Sequence, residues 1–299
     1  MRADVAVIIL TYNEEANIAQ ALASVCGWAR EVHVVDSFSA DATVQVSSRF
    51  DCQVHQHHFE NYAKQRNWAL STLPIQSEWI LFLDADEWVS EDLKQEIVDV
   101  LASNPEVDGF LIKWRFIWRG VWIRRGYYPN WLLRLFRAGR GRCEDRAVNE
   151  HMIVPGAVGR LKNDFIHEDR KPLSAWIEKH SRYARREAAE IFTAPSGGDL
   201  PMRLFGRKAE RTRWLRYKVY NRIPPLVRPL LYFFYRAVLQ GGFLDGTTAL
   251  TYHFLHALWY PLLIDLYYLE MRPSASRPSE VPEIAMNARN ETAVKSQVS

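Results

Sequence analysis

The chain has 299 residues, 48% of them hydrophobic and 24% charged, with a formal net charge of +3; this supports a sizeable core and excludes a disordered chain. Its three cysteines, Cys26, Cys52 and Cys143, are widely spaced with no C-x-x-C, which excludes a disulfide framework and a cysteine-rich zinc site and favours a reducing compartment. The apolar run near the N-terminus, residues 5–10, is too short for a signal-peptide core, so no export signal is expected.

Residues 5–11, VAVIILT, read as a first strand buried on both faces. Tyr12, Asn13, Glu14 and Glu15 are expected to open an amphipathic helix through about Val25, with Ile18, Leu22 and Val25 on one side. Residues 31–36 make a second strand ending on Asp36, with a helix from about Ala42; residues 52–55 and 60–72 continue as strand and helix. The fourth strand, 79–83, runs into Asp84-Ala85-Asp86, and a further helix begins near Ser90 and covers 93–101. This alternation predicts an α/β fold with a mostly parallel sheet, whose ligands bind outside the carboxyl ends of the strands. Polar residues collect there: Thr11, Asn13 and Glu14 after the first strand, Asp36, Ser39 and Asp41 after the second, Asp84 and Asp86 after the fourth. Neither G-x-G-x-x-G nor G-x-x-x-x-G-K-[ST] occurs, so a bound nucleotide needs side chains and a metal to hold it.

Asp84 and Asp86 are poorly explained by packing, because like charges this close repel unless a cation lies between them. Mg²⁺ or Mn²⁺ typically takes one or two protein carboxylates and leaves its other positions to water and phosphate. The blander alternative is a strand entering a solvated acidic turn that caps the next helix.

After 93–101 the periodicity changes. Residues 109–118 and 131–137 alternate in places and are rich in Trp, Phe and Arg, as half-buried strands are; an antiparallel extension lying over the sheet is expected. Such aromatics suit either a core or a sugar-acceptor site. Residues 148–151 and 161–169 read as two short strands. From Pro172 the chain becomes helical, with Trp176, Ile177, Tyr183 and Ala184 against a basic face, and a Pro/Ser/Gly break follows at 195–201. Residues 179–228 carry 13 Lys/Arg against 4 Asp/Glu, a local charge of +9; an acidic membrane surface or nucleic acid is the usual partner, a solvated helical face the alternative. Residues 224–270 are apolar and aromatic. Their longest uncharged run, 246–264, has 19 residues, borderline for a span. His253, His256 and Pro261 within it, with Arg228, Arg236, Asp245 and Asp265 nearby, favour helices lying in the membrane interface or packed on the domain. The tail, 273–299, is polar and expected to be disordered.

The stretches ILTYNEE (9–15), VVDSFSADAT (34–43), YAKQRNWAL (62–70) and LFLDADE (81–87) together resemble the family 2 glycosyltransferases of the GT-A fold. That fold is a Rossmann-like, mostly parallel central sheet with an antiparallel extension, here followed by a helical C-terminal region. LLRLFRAGRGRCEDRAVNEH (132–151) and HEDRKPLSAWIEKHSRYA (167–184) look like the lipopolysaccharide-core glucosyltransferase branch of cell-surface polysaccharide synthesis. The resemblance places Thr11, Asn13, Glu14 and Asp36 around the uracil and ribose of a UDP-sugar, and Lys64 and Arg66 near the base or diphosphate. Asp84 and Asp86 match the DxD motif, the second carboxylate ligating Mg²⁺ or Mn²⁺. His167 matches a histidine that could complete the metal shell; an ordinary core histidine is the alternative. Glu150 is the candidate base, with Glu144 and Asp145 competing. The branch commonly has His where this chain has Asn149. His55, His57 and His58 are assigned to surface or core.

The resemblance thus implies a metal-dependent, inverting transfer of a hexose from a UDP-sugar to a lipid-linked or lipopolysaccharide acceptor. The protein would be peripheral, on the cytoplasmic side of the bacterial inner membrane, with no nucleic-acid partner. The expected organisation is a transferase domain at 1–170, a basic helical segment at 171–223, membrane-associating helices at 224–270 and a tail at 271–299. A metal-dependent nucleotidyltransferase is the competing enzyme, although TYNEE is no glycine-rich phosphate loop. A non-enzymatic protein binding an anionic membrane or nucleic acid is the competing non-enzyme.

Overall fold

A computed structural model describes residues 2–144, 151–193, 203–205 and 208–272. Strands and helices alternate through β1 (Ala3–Thr11), α1 (Ile18–Val25), β2 (Ala29–Asp36), α2 (Thr43–Ser47), β3 (Gln53–Gln56), α3 (Tyr62–Thr72), β4 (Trp79–Asp84), β5 (Glu87–Val89) and α4 (Glu91–Ala102). The first four strands are parallel, in the order β3-β2-β1-β4. Side chains alternate across a strand, so the unbroken apolar runs of β1 and β4 require cover on both faces. Val5, Val7 and Ile9 with Trp79, Leu81 and Leu83 pack against Ile18 and Leu22 of α1 and Leu93 and Ile97 of α4. Ile8, Leu10, Ile80 and Phe82 face Ala69 of α3 and Leu73, which follows its last turn. Each such side chain is worth about 1.5–3 kcal/mol relative to exposure.

The first helix starts later than expected, at Ile18. Asn13 has a left-handed backbone with φ 52°, and side chains after β2 take the amides that would have begun a helix. Ser39 Oγ accepts from Asn13 N at 2.8 Å, Thr43 Oγ1 from Glu14 N at 2.7 Å and Asp41 from Glu15 N at 3.2 Å. The expected helix near Ser90 is present, with the serine side chain accepting from Leu93 N.

The antiparallel strands do not lie over the sheet. β6 (Gly109–Trp118) and β8 (Asn130–Arg137) are part of it, and the two-residue β7 (Val121–Trp122) pairs with β6. A two-stranded ladder of β9 (Arg142–Cys143) and β10 (Met152–Ile153) precedes β11 (Val158–His167). The main sheet runs β3-β2-β1-β4-β8-β6-β11-β5. β8 enters antiparallel between β4 and β6, pairing Leu81 with Leu135 and Leu135 in turn with Phe110. Its inward residues Leu135 and Phe136 are fully buried, so the sheet extends its core sideways instead of adding a layer.

The C-terminal part is helical: α5 (Leu173–Thr193), α6 (Lys208–Lys218), α7 (Val227–Phe234) running into a π turn to Leu239, then α8 (Thr247–His253) and α9 (Tyr260–Glu270) joined by a second π turn. These helices are docked, not appended. Ala184 and Ala188 of α5 meet Ile264 of α9, and Tyr252 and Ala249 of α8 cover Phe116, Trp118 and Trp176. Arg228 at the start of α7 forms a buried ion pair with Asp265. Among the described residues no helix is long and apolar enough to cross a membrane. The break at 195–201, the tail at 273–299 and residues Asp145, Asn149 and Glu150 lie outside the described residues.

Candidate active site

Register brings the polar strand ends together. Thr11 of β1 is level with Asp36 of β2, and Leu10 is level with Asp84 of β4. Asp36 is fully buried; it accepts from Ser39 N at 3.0 Å and from the Ser39 hydroxyl, and at 3.4 Å from Gln56. Asn13 Oδ1 accepts from Ala40 N at 2.8 Å. Thr11 Oγ1 is buried without a hydrogen-bond partner. The two loops after β1 and β2 are thus laced into one edge, with the Thr11 hydroxyl buried and unsatisfied beneath it.

The acidic cluster is sorted by one arginine. Arg134, on β8, donates to Asp84 at 2.8 Å and to Glu87 at 2.9 Å, and Arg66 on α3 reaches Asp84 at 3.4 Å. Glu87 also accepts from the Asp84 amide at 2.9 Å. Burial works against ionising Asp84, but Arg134 and Arg66 hold its carboxyl well below the usual carboxylate range. Burial raises Glu87, with Arg134 opposing. Asp86 is 7% exposed. Its carboxylate lies 3.6 Å from His167 Nδ1, which is also 3.6 Å from Glu87. Both distances are too long for a hydrogen bond, and Nδ1 is a buried nitrogen with no partner. Burial disfavours the imidazolium, yet the Asp86 and Glu87 carboxylates raise the His167 pKa.

A divalent ion fits this donor set. Asp84 and Glu87 are bonded to Arg134, and Asp86, without an arginine, lies beside the His167 nitrogen that has no hydrogen bond. Among the described residues no group of three or more His, Cys, Asp or Glu side chains converges to hold a metal ion. A Mg²⁺ or Mn²⁺ site held by one or two protein ligands and completed by phosphate is of that kind.

Two lysines that sequence reading did not single out complete the site. Lys171, after β11, pairs with Glu14, whose other oxygen accepts from Asn17 at 2.7 Å. Burial and then the Asp86 charge raise the Glu14 carboxyl, against the pull of Lys171. Asn17 also donates to Asp169 at 2.9 Å, which ties the β11–α5 loop to the end of β1. Lys179 on α5 feels Asp86, Tyr183, Tyr62 and Glu14; burial opposes its charge, but these neighbours hold its pKa above the ordinary lysine value.

The other expected residues fall outside this group. Lys64 is two residues from Arg66 on α3, so it projects from another side of the helix; it is half exposed and paired with Glu60. Glu144 is fully buried, its amide bonded to His151 O and its carboxylate 3.8 Å from His151 Nδ1. His57 stacks on Trp68 at 4.2 Å, His58 on Phe38 at 4.2 Å, and His55 lies 3.2 Å from His33. Of the aromatics on the antiparallel strands, Phe116 and Trp118 are core, whereas Trp122 lies between the guanidiniums of Arg115 and Arg124, at 4.5 and 4.3 Å.

A family model described as glycosyl transferase family 2 matches residues 6–163. An uncharacterised glycosyltransferase of Rickettsia typhi is 35% identical over 200 residues, covering 62% of this chain and 68% of its own. The lipopolysaccharide core biosynthesis glycosyltransferase LpsC of Rhizobium meliloti is 29% identical over 264 residues, covering 83% of this chain and 88% of its own. Among solved structures, residues 1–349 of S. aureus TarS superpose with a TM-score of 0.43 at 18% identity, covering 94% of this chain and 95% of that one.

Proposed function

The chain belongs to glycosyltransferase family 2, and from that premise we propose that it moves a hexose, with inversion, from a UDP-sugar to a lipid-linked or lipopolysaccharide acceptor at the cytoplasmic face of the bacterial inner membrane. The observation that carries the site assignment is the sorting of carboxylates by Arg134. Two of the three acidic side chains in Asp84–Glu87 are bonded to Arg134, and Asp86 lies beside a His167 nitrogen that is buried without a hydrogen bond. The similarity to LpsC, named for lipopolysaccharide core biosynthesis, supports the acceptor class.

Asp86 with His167 would hold the divalent ion, which when bound supplies positive charge to the departing diphosphate. The protein would add fixed charge of its own: Arg66, at 3.4 Å from Asp84, and Lys179, in the field of Asp86, would meet the negative charge developing on the leaving group. Such preorganised cations stabilise that charge without reorganising during the reaction. Thr11, Asn13, Glu14 and Asp36 would line the uracil and ribose. The unsatisfied Thr11 hydroxyl would offer a donor, and Asp36, rigidified by Ser39, an acceptor for ribose hydroxyls. Glu150 would take the proton from the attacking acceptor hydroxyl.

The test is a panel of UDP- and GDP-sugars, with and without Mg²⁺ or Mn²⁺, read as nucleotide release and as transfer to lipid extracts. Metal-dependent release of UDP, lost in Asp86→Ala, is expected; release that ignores both metal and this substitution would sink the metal assignment. Transfer retained by Glu150→Gln would remove Glu150 as the base. Calorimetry showing no UDP binding would remove the donor.

A further inference from the structure

The helix α7 and its π turn carry their two arginines inside, beside Pro229 and Ala237, and large apolar side chains outside. Arg228 points inward onto Asp265, with guanidinium to carboxylate at 2.7 Å. Arg236, two turns on, lies over the Tyr127 ring at 3.8 Å. The outward stripe is Leu230, Leu231, Phe234 and Leu239, exposed by 56, 52, 51 and 68%. Phe243 and Leu244, in the 3₁₀ turn Gly242–Asp245, extend it at 50 and 59%. A surface helix of a globular protein shows the reverse pattern. Single exposed leucines are ordinary, but a contiguous apolar patch marks an interaction surface. Turning the leucines of α7 inward would expel Arg228 from Asp265 and Arg236 from Tyr127.

The charge beside the patch selects its occupant. Arg211 and Lys218 of α6 and Arg222, in the segment leading into α7, are exposed, whereas Arg228 and Arg236 are turned inward. An anionic bilayer accepts both features, apolar side chains among the acyl chains and cations at the headgroups. The face is also coupled to the sheet. Asp245 accepts from the Arg124 and Arg125 amides at 2.8 and 2.7 Å and pairs with the Arg125 side chain, so whatever holds α7 holds the β6–β8 connection.

We propose that the outer face of α7, continued by the Gly242–Asp245 turn, is an in-plane docking surface for an anionic lipid bilayer. This deepens the lipid-acceptor reading and stands on different residues from the donor site. The experiment is cosedimentation of the full chain with phosphatidylglycerol-containing and with pure phosphatidylcholine vesicles, at low and high salt, alongside the double variant Leu230→Glu/Leu239→Glu. Circular dichroism and UDP binding report that the variant is folded. Light scattering reports its oligomeric state. The wild type is expected to sediment with the anionic vesicles and less so at high salt. The variant should partition at least tenfold more weakly, on the order of the cost of hydrating two leucine side chains, with UDP binding unchanged. Equal sedimentation of variant and wild type would overturn the proposal. So would a wild type that ignores both vesicles, equal binding to neutral vesicles, or a dimer that the variant turns into a monomer without change in vesicle binding. Asp86→Ala should sediment as the wild type does, so failure of the donor reading and of this one are seen separately.

Discussion

Arg134 decides what each carboxylate of the acidic turn is for. With its side chain 9% exposed, it bonds to both Asp84 and Glu87 through one guanidinium nitrogen. Truncating it would strand the buried Glu87 carboxylate and leave Asp84 with Arg66 alone, which typically costs about 3–5 kcal/mol. We therefore expect Arg134→Ala to lower the urea midpoint strongly, while Asp86→Ala leaves it within about 1 kcal/mol of wild type and loses metal-dependent UDP release. Equal stabilities for the two variants would contradict this division of roles. Asp36, Asp84 and Asp86 were legible in the sequence because a carboxylate at the end of an apolar run is a local signal. Arg134 was not, being 50 residues from Asp84, nor Lys171, 157 residues from Glu14. The signal that could have flagged Glu87 was its place as the third acid in Asp84–Glu87, one position beyond the DxD pair.

At the level of elements, the C-terminal helices are bound to the sheet by an aromatic and histidine cluster. His256 Nδ1 lies 2.8 Å from the Tyr127 hydroxyl, and His180 stacks on Trp176 at 3.6 Å. Burial, aided by His180 and Arg236, pulls the His256 imidazole from 6.5 down to about 3; burial pulls His180 to about 4. Both are neutral in the fold, whereas the unfolded chain protonates them below 6.5. Their contribution is whole above pH 6.5 and is lost as pH falls towards the folded values, by at most about 1.4 kcal/mol per pH unit for each. The urea midpoint should accordingly fall between pH 7 and 5, and fall less steeply in His256→Phe; an unchanged slope would refute the assignment. The first four strands were readable because each is a contiguous run with its own helix. The position of β8 was not, because an antiparallel strand that enters between β4 and β6 is chosen by pairing partners, and alternation alone does not say which strand it will pair with.

On the scale of the whole molecule, transferase sheet and C-terminal helices form one packed body. Removing residues 224–272 would uncover Ala184 and Ala188 where Ile264 sits, and Phe116 and Trp118 where Tyr252 sits. Such a deletion is expected to yield an insoluble or protease-sensitive chain instead of a soluble transferase; a folded product by circular dichroism and limited proteolysis would show that the helices are dispensable. The sequence by itself determined the α/β class, the strand ends that gather polar residues and the family 2 motifs, since all of these follow from periodicity and short-range spacing. Only the tertiary structure decided which acids arginine neutralises, which histidine nitrogen is left without a partner and which side of α7 faces outward. Those outcomes depend on contacts between residues tens to hundreds of positions apart, and burial sets their energies only once the chain has closed around them.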